Sequence, residues 1–269
     1  MKSIFILTLL SNSLLSCVGQ SENEYFTKGN EKAIQQDYKS AISYYDTAIN
    51  INPKFFEAYY SRGRAKANLL DGLGAIKDYD TVIMINSKFP NAYYNRGLEK
   101  GILLDYKGSL ADYNKALEIA PQYPAAYINR GNIKNILHDF QGAIEDYTNS
   151  IAIDPKTPEA YYNRGYTKYD LNDYKGAIAD FDTATEIKST YWKAYFKRGH
   201  SKLLIEDYKG ALSDFSKVIK NDSKDGEAYY YRAIAKFALN QKDSGCLDLK
   251  KSAELGFEIA TKVISTYCN

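Results

Sequence analysis

A block of the form Tyr-x-x-Arg-Gly-x-x-Lys returns every 34 residues, and this spacing constrains the chain more than anything else in it. The alanine-tyrosine pairs that open it are Ala58-Tyr59, Ala92-Tyr93, Ala126-Tyr127, Ala160-Tyr161, Ala194-Tyr195 and Ala228-Tyr229. One step further back lies Glu24-Tyr25, with Gly29 and Lys32 in register, so the chain holds seven copies. A unit of this length cannot bury a core alone; it stacks on its neighbours. The period therefore predicts a pile of helix pairs with a long open surface and no enclosed cleft, a form that suits binding better than catalysis.

Within one copy the pattern is helical. Taking Ala160 as the third position, Pro158 suits a helix start, and Tyr161, Gly165 and Lys168 recur at helical spacing. Asn172-Asp173 breaks the pattern, and a second helix follows from about Tyr174 to Ile187 with Ala177, Phe181 and Ala184 on one stripe. Gly165 and Ala177 let the two backbones approach while Phe181 fills the space beside them. Equivalent glycines stand at Gly29, Gly63, Gly97, Gly131 and Gly199, and equivalent second-helix aromatics at Tyr45, Tyr79, Tyr113, Tyr147 and Phe215. Prolines close several copies, at Pro53, Pro121 and Pro155.

These small, aromatic and proline positions resemble those of the tetratricopeptide repeat, over residues 24 to about 256. The resemblance implies an all-α, right-handed α-solenoid of antiparallel helix pairs whose first helices line a concave face, and a role in holding proteins together by binding a peptide or helix there. No catalytic activity, cofactor or metal comes with the repeat. Departures weaken single copies: Gly72 replaces the turn aromatic of the second, Ser109 the alanine of the third, and Ser87, Ser189 and Ser223 the closing proline. The last copy has Ala233 for its glycine and Gln241-Lys242 for its turn, as a terminal repeat would.

Arginine recurs at the seventh position (Arg62, Arg96, Arg130, Arg164, Arg198, Arg232), with aspartate sixteen residues on (Asp78, Asp112, Asp146, Asp180, Asp214, Asp248). Lysine follows one turn after each arginine. An anion-binding ladder is one reading; the matching acid favours an interhelical ion pair repeated in every copy.

The concave face is expected to carry positions two, five, six, nine, twelve and thirteen. At the sixth stand Asn95, Asn129 and Asn163, then Lys197; three consecutive asparagines resemble the ladder by which some tetratricopeptide arrays grip an extended main chain, since an amide both donates and accepts. The plainer reading is a set of solvated polar residues. At the fifth stand Tyr60, Tyr94, Tyr162 and Phe196, suited to anchor a partner or stack on sugar rings, and equally able to pack on the next repeat. The carboxylate clamp of chaperone-binding members needs lysine at the fifth position, which this chain lacks. His138 and His200 are the only histidines, no cysteine-histidine cluster exists, and no nucleophile motif occurs, so neither a metal site nor a catalytic site is expected.

The amino terminus reads as an export signal: Met1-Lys2-Ser3, then an apolar run from Ile4 to Leu15 too short to span a bilayer comfortably. Its end, Leu14-Leu15-Ser16-Cys17, resembles the lipobox of bacterial lipoproteins, with Cys17 as the acylated residue and Leu15 bulkier than that motif usually shows. An ordinary cleaved signal with a chance cysteine is the alternative. Six residues would then separate Cys17 from the first helix, a reach of about 20 Å. Removing Lys2 leaves 34 basic against 33 acidic residues, a net charge of +1 that offers no stripe for nucleic acid or an anionic membrane.

Cys246 and Cys268 remain as a pair. Ten residues lead from Cys246 to a turn at Gly256 and twelve from there to Cys268, so an antiparallel return brings them together, either as a disulfide or as two thiols in a capping helix marked by Phe257, Ala260, Val263, Ile264 and Tyr267.

On this register residues 1–16 are a signal peptide and 17–23 the lipidated start and tether. The repeats are 24–57, 58–91, 92–125, 126–159, 160–193, 194–227 and 228–256, and 257–269 is a capping helix. The sequence points to a non-enzymatic envelope lipoprotein, on the outer membrane facing the periplasm, whose groove residues Tyr60, Tyr94, Asn95, Asn129, Tyr162, Asn163, Phe196 and Lys197 bind a segment of another envelope protein. A glycan-binding module using the tyrosine row, and a regulatory subunit of a cell-envelope enzyme, are the alternatives.

Overall fold

The computed structural model describes residues 21–268; the signal peptide, Cys17 and most of the expected tether lie outside these. Fifteen helices and no strand occur among the described residues. They fall into two compact units, divided after Ile119. The first holds α1 (Glu22–Ile34), α2 (Tyr38–Ile51), α3 (Phe56–Asn68), α4 (Gly72–Ile85), α5 (Pro90–Ile102) and α6 (Tyr106–Ile119). The second holds α7 (Pro124–Ile136), α8 (Phe140–Ile153), α9 (Pro158–Asp170), α10 (Tyr174–Ile187), α11 (Trp192–Leu204), α12 (Tyr208–Asn221), α13 (Gly226–Ala238), α14 (Lys242–Glu254) and α15 (Glu258–Tyr267). Within each unit each helix packs on the next, giving consecutive antiparallel pairs, and the first helices of neighbouring pairs also touch one another. The architecture is an all-α solenoid of helix pairs.

Local chemistry sets each pair. Three first helices open on proline, at Pro90, Pro124 and Pro158, where a missing N–H costs nothing. Every first helix ends on a residue with φ between 59° and 65° (Gln36, Leu70, Leu104, His138, Asn172, Glu206, Asn240). The next N–H reaches back over the turn, as Asp173 N does to Lys168 O at 2.9 Å. This is a left-handed closure that satisfies last-turn carbonyls. That following residue then caps the second helix: the aspartates at 37, 71, 105, 139, 173 and 207 each accept an N–H three residues on. Five of those donors are glycine, where a Cβ would sit 2.0–2.3 Å from the capping carboxylate as it stands, and the sixth is Ser40.

Pairs close where a first-helix glycine meets a second-helix ring. A Cβ on Gly165 would lie 3.0 Å from Phe181 Cε1, and on Gly29 2.4 Å from Tyr45 Cε1. Tyr45, Tyr79, Tyr113, Tyr147, Phe181 and Phe215 are fully buried. The last pair exchanges volumes: Ala233 takes the glycine place, Leu249 the ring place, and Phe237 packs over Gly245 instead. α15 then covers Ala233 and Leu249 with Ala260, Phe257, Val263 and Ile264. Cys246 and Cys268 are joined by a disulfide, S–S 2.03 Å, which ties the end of α15 to α14.

The recurring arginines form one motif. Arg164 donates from Nε and Nη2 to the two oxygens of Asp180 at 3.0 and 2.7 Å, and Lys168 joins at 2.8 Å. The same fork holds Arg62, Arg96, Arg130, Arg198 and Arg232 on buried aspartates. The third arginine nitrogen, Nη1, reaches back one pair, to Asp46 from Arg62, to Asp80 from Arg96 and to Asp182 from Arg198. Thr148 and Ser216 serve Arg164 and Arg232 in the same way. These charges are therefore the scaffold's interhelical bonds, and the anion-ladder reading falls away: both carboxylate oxygens and three guanidinium nitrogens are spent inside the fold.

Candidate functional site

With the forks set aside, the first helices still present side chains from the fifth, sixth, ninth and twelfth positions, and each unit has its own cluster of them. The tyrosines one turn before the forked arginines belong to the scaffold, because each guanidinium lies over its ring, as Arg62 does over Tyr59 at 5.2 Å.

In the first unit Tyr60 packs edge-on against Phe89 and its hydroxyl accepts a hydrogen bond from Asn95 Nδ2 at 2.8 Å. Tyr94 packs on Tyr113, centroids 6.0 Å apart. Fifth-position aromatics therefore pack inside the array, Tyr60 on the next pair and Tyr94 within its own, and both residues stay half-exposed. Beside them a recess of about 480 Å³ is lined by Asn30, Tyr38, Tyr45, Ser61, Arg64 and Asn68.

The second unit gathers a denser cluster on α9, α11 and α13. Tyr162 packs on Tyr166, Phe181 and Tyr191. Burial, with the neighbouring charges of Glu159 and Tyr162, pushes the Tyr191 phenol up to about 12. Asn163 donates to Asn132 Oδ1 at 3.0 Å, and Asn132 also accepts from Tyr147 Oη at 2.9 Å. Lys197 Nζ lies 4.8 Å over the Tyr166 ring and 5.3 Å over Tyr169, within cation–π reach of both. Phe196 sits between Phe215 and Tyr231. His200 is half-buried: Tyr169 Oη and His200 Nδ1 are hydrogen-bonded at 2.8 Å, and Tyr231 meets the imidazole edge-on at 4.6 Å. Burial and the Lys197 charge hold its pKa below the ordinary histidine value. At the rim, burial pushes the carboxyls of Asp170 and Glu227 above their usual range, the latter helped by Asp225.

A recess of about 280 Å³ opens beside this cluster between Tyr162, Trp192, Phe196, Val218 and Glu227. Of the sequence-chosen residues, Tyr162, Asn163, Phe196 and Lys197 lie together here, while Tyr60, Tyr94 and Asn95 lie in the first unit. Asn129 is on α7 and half-buried. The asparagines at 95 and 163 spend one amide N–H inside the protein, so their Oδ1 and second N–H are what a main chain would meet.

Tyr166, Tyr169, Trp192 and Arg64 were not singled out from sequence. The first two and Arg64 occupy the ninth and twelfth positions, and a comparison of those positions between copies, where Arg64, Tyr166 and His200 replace apolar or amide residues, would have found them. Among the described residues no group of three histidine, cysteine or acidic side chains is placed to hold a metal ion. No helix among them is long and apolar enough to cross a membrane.

No curated protein matches the sequence. The family model described as TPR repeat matches residues 29–69 and 136–171, and that described as tetratricopeptide repeat matches residues 90–123 and 158–191. Among solved structures, a tetratricopeptide repeat protein from Parabacteroides merdae is similar at 21% identity and a TM-score of 0.66, over 93% of this chain and all of that one. YrrB, a TPR protein with an unusual peptide-binding site, is similar at 20% identity and a TM-score of 0.64, over 70% of this chain and 97% of its own. PilF of Pseudomonas aeruginosa shares the fold at 14% identity and a TM-score of 0.69, over 79% of this chain and 96% of its own. Matched by repeat models at four places and built of the same helix pairs, the chain carries tetratricopeptide repeats and has their fold.

Proposed function

We propose that this chain is a non-catalytic adaptor that binds an extended segment or helix of a partner protein on its first-helix faces. The observation that carries this reading is the cluster Tyr162, Tyr166, Tyr169, Phe196, Lys197, His200 and Tyr231: polar-tipped rings, half-exposed, pre-ordered by their own contacts and beside an aromatic recess. Rigid aromatics of this kind supply interface area at low entropic cost. The tetratricopeptide scaffold, and a relative with a peptide-binding site, support the same class of partner.

The site of action we infer is a bacterial envelope, with the chain held by acyl groups on Cys17 at the outer membrane and facing the periplasm; the Leu14-Leu15-Ser16-Cys17 run and the disulfide both suit export. Cys17→Ser then moves the chain from the membrane to the soluble fraction and abolishes acyl labelling; retained membrane association would refute the anchor alone.

The binding reading is tested by crosslinking and capture from intact cells of the native chain and a Tyr166→Ser, Lys197→Ser variant. Partners captured by the native chain and lost from the variant are expected. An unchanged partner set would move the interface off this face.

A further inference from the structure

We propose that Arg64 forms a carboxylate site in the first unit, taking an aspartate or glutamate side chain of the bound segment; this rests on the peptide-binding reading above.

The chain has seven arginines, and six of them are locked in the aspartate forks. Arg64 is the seventh. It follows Arg62 by two residues, which turns it about 200° around α3 and away from Asp78. No carboxylate pairs with it among the described residues. Its guanidinium instead lies 5.9 Å over the Tyr60 ring, a contact that orients the group without neutralising it.

Arg64 is exposed and borders a recess whose lining carries no acid. Arg64 lines the recess of about 480 Å³, and its polar neighbours there are Asn30, Tyr38, Tyr45, Ser61 and Asn68, all uncharged. Tyr45 Oη donates to Asn30 Oδ1 at 2.8 Å, which fixes the Asn30 amide and leaves its N–H donors unspent. Asn68 is tied to the Arg64 carbonyl at 2.8 Å. Glu99 on α5 has its carboxyl pushed up by burial, and no ion pair joins it to Arg64 among the described residues. A planar five-donor cation, held on a ring and flanked by amide and hydroxyl donors with no competing anion, matches a carboxylate in charge and in bidentate geometry.

The test is a random dodecapeptide display selection on the full chain, extracted in detergent and immobilised by its carboxyl terminus, beside the Arg64→Gln variant. Arg64 is exposed and outside the core, and matching thermal melts check that the variant is folded. Among binders of the native chain, one aligned position is expected to carry Asp or Glu about five-fold above the library, falling to the library level with Arg64→Gln. A synthetic peptide from the native pool should lose about ten-fold in affinity when its acid is changed to the amide, and no further when Arg64→Gln is already present. Binders without acidic enrichment, or an acid-to-amide loss of equal size on both proteins, would overturn the Arg64 site alone. Failure of both proteins to select any peptide would overturn the peptide-binding reading beneath it.

Discussion

Adding one methyl group at Gly165 tests how the helix pairs are closed. In Gly165→Ala the new Cβ falls 3.0 Å from Phe181 Cε1, 3.1 Å from its Cδ1 and 3.0 Å from Asp180 Cβ. Phe181 is fully buried, and Asp180 is pinned by Arg164 and Lys168, so neither neighbour can swing aside freely. Overpacking of this kind costs about 1–3 kcal/mol, against which alanine gains about 1 kcal/mol over glycine inside a helix. The net loss expected is therefore about 0–2 kcal/mol.

The last pair shows what relieves it, because there Ala233 faces Leu249 in place of glycine and ring. Phe181→Leu alone leaves a gap and costs about 1–2 kcal/mol. Combined with Gly165→Ala, the leucine makes room for the methyl, so the double variant should be more stable than the sum of the two losses by about 1 kcal/mol. Urea unfolding followed by circular dichroism measures all four proteins. Strict additivity would refute the claim that glycine and ring volumes are matched.

Asp214 tests the forks: its side chain is 2% exposed and holds both Arg198 and Lys202. Asp214→Ala is expected to cost about 3–5 kcal/mol in denaturant unfolding, the usual penalty for stranding a buried partner, whereas Arg64→Ala should change stability by less than about 0.5 kcal/mol. Breaking the bridge with Cys246→Ser and Cys268→Ser frees a loop of 22-residue separation and should cost about 3 kcal/mol, seen as faster hydrogen exchange in α15 than elsewhere. For His200, whose pKa is held down in the fold by burial and by Lys197, the folded state prefers the neutral ring. Its contribution is present above the ordinary histidine pKa of about 6.5 and is lost as pH falls through the lowered value. Stability of the native chain should thus decline from pH 7.5 to 5.5 relative to His200→Gln, and parallel profiles would contradict it. Asp170 and Glu227, with raised carboxyls, act in the opposite direction and at lower pH.

Much of the fold was legible because each cause is local and repeated. The glycine and ring positions, the break at Asn172-Asp173 and the arginine-aspartate spacing each recur, so seven copies average out the noise of any one. The close of the array was legible in part: Ala233 marks a terminal repeat, but the exchange with Leu249 and the move of Phe237 onto Gly245 depend on three-dimensional volume. The functional surface was harder to read for the opposite reason. His200 with Tyr169, and Lys197 with Tyr166, join unlike positions of adjacent copies, 31 residues apart, and a register built on what recurs hides what does not. Arg64 is likewise invisible beside Arg62 until the forks show which arginine is already spent.

The central claim is that partners bind the first-helix face of the second unit, and a photo-crosslinking residue read in intact cells tests it most directly. Placed at Tyr166 on α9, it should give discrete adducts with one or a few proteins, while the same residue at Lys209, exposed on the second helix α12, should give none. Adducts from Lys209 with none from Tyr166 would contradict the account.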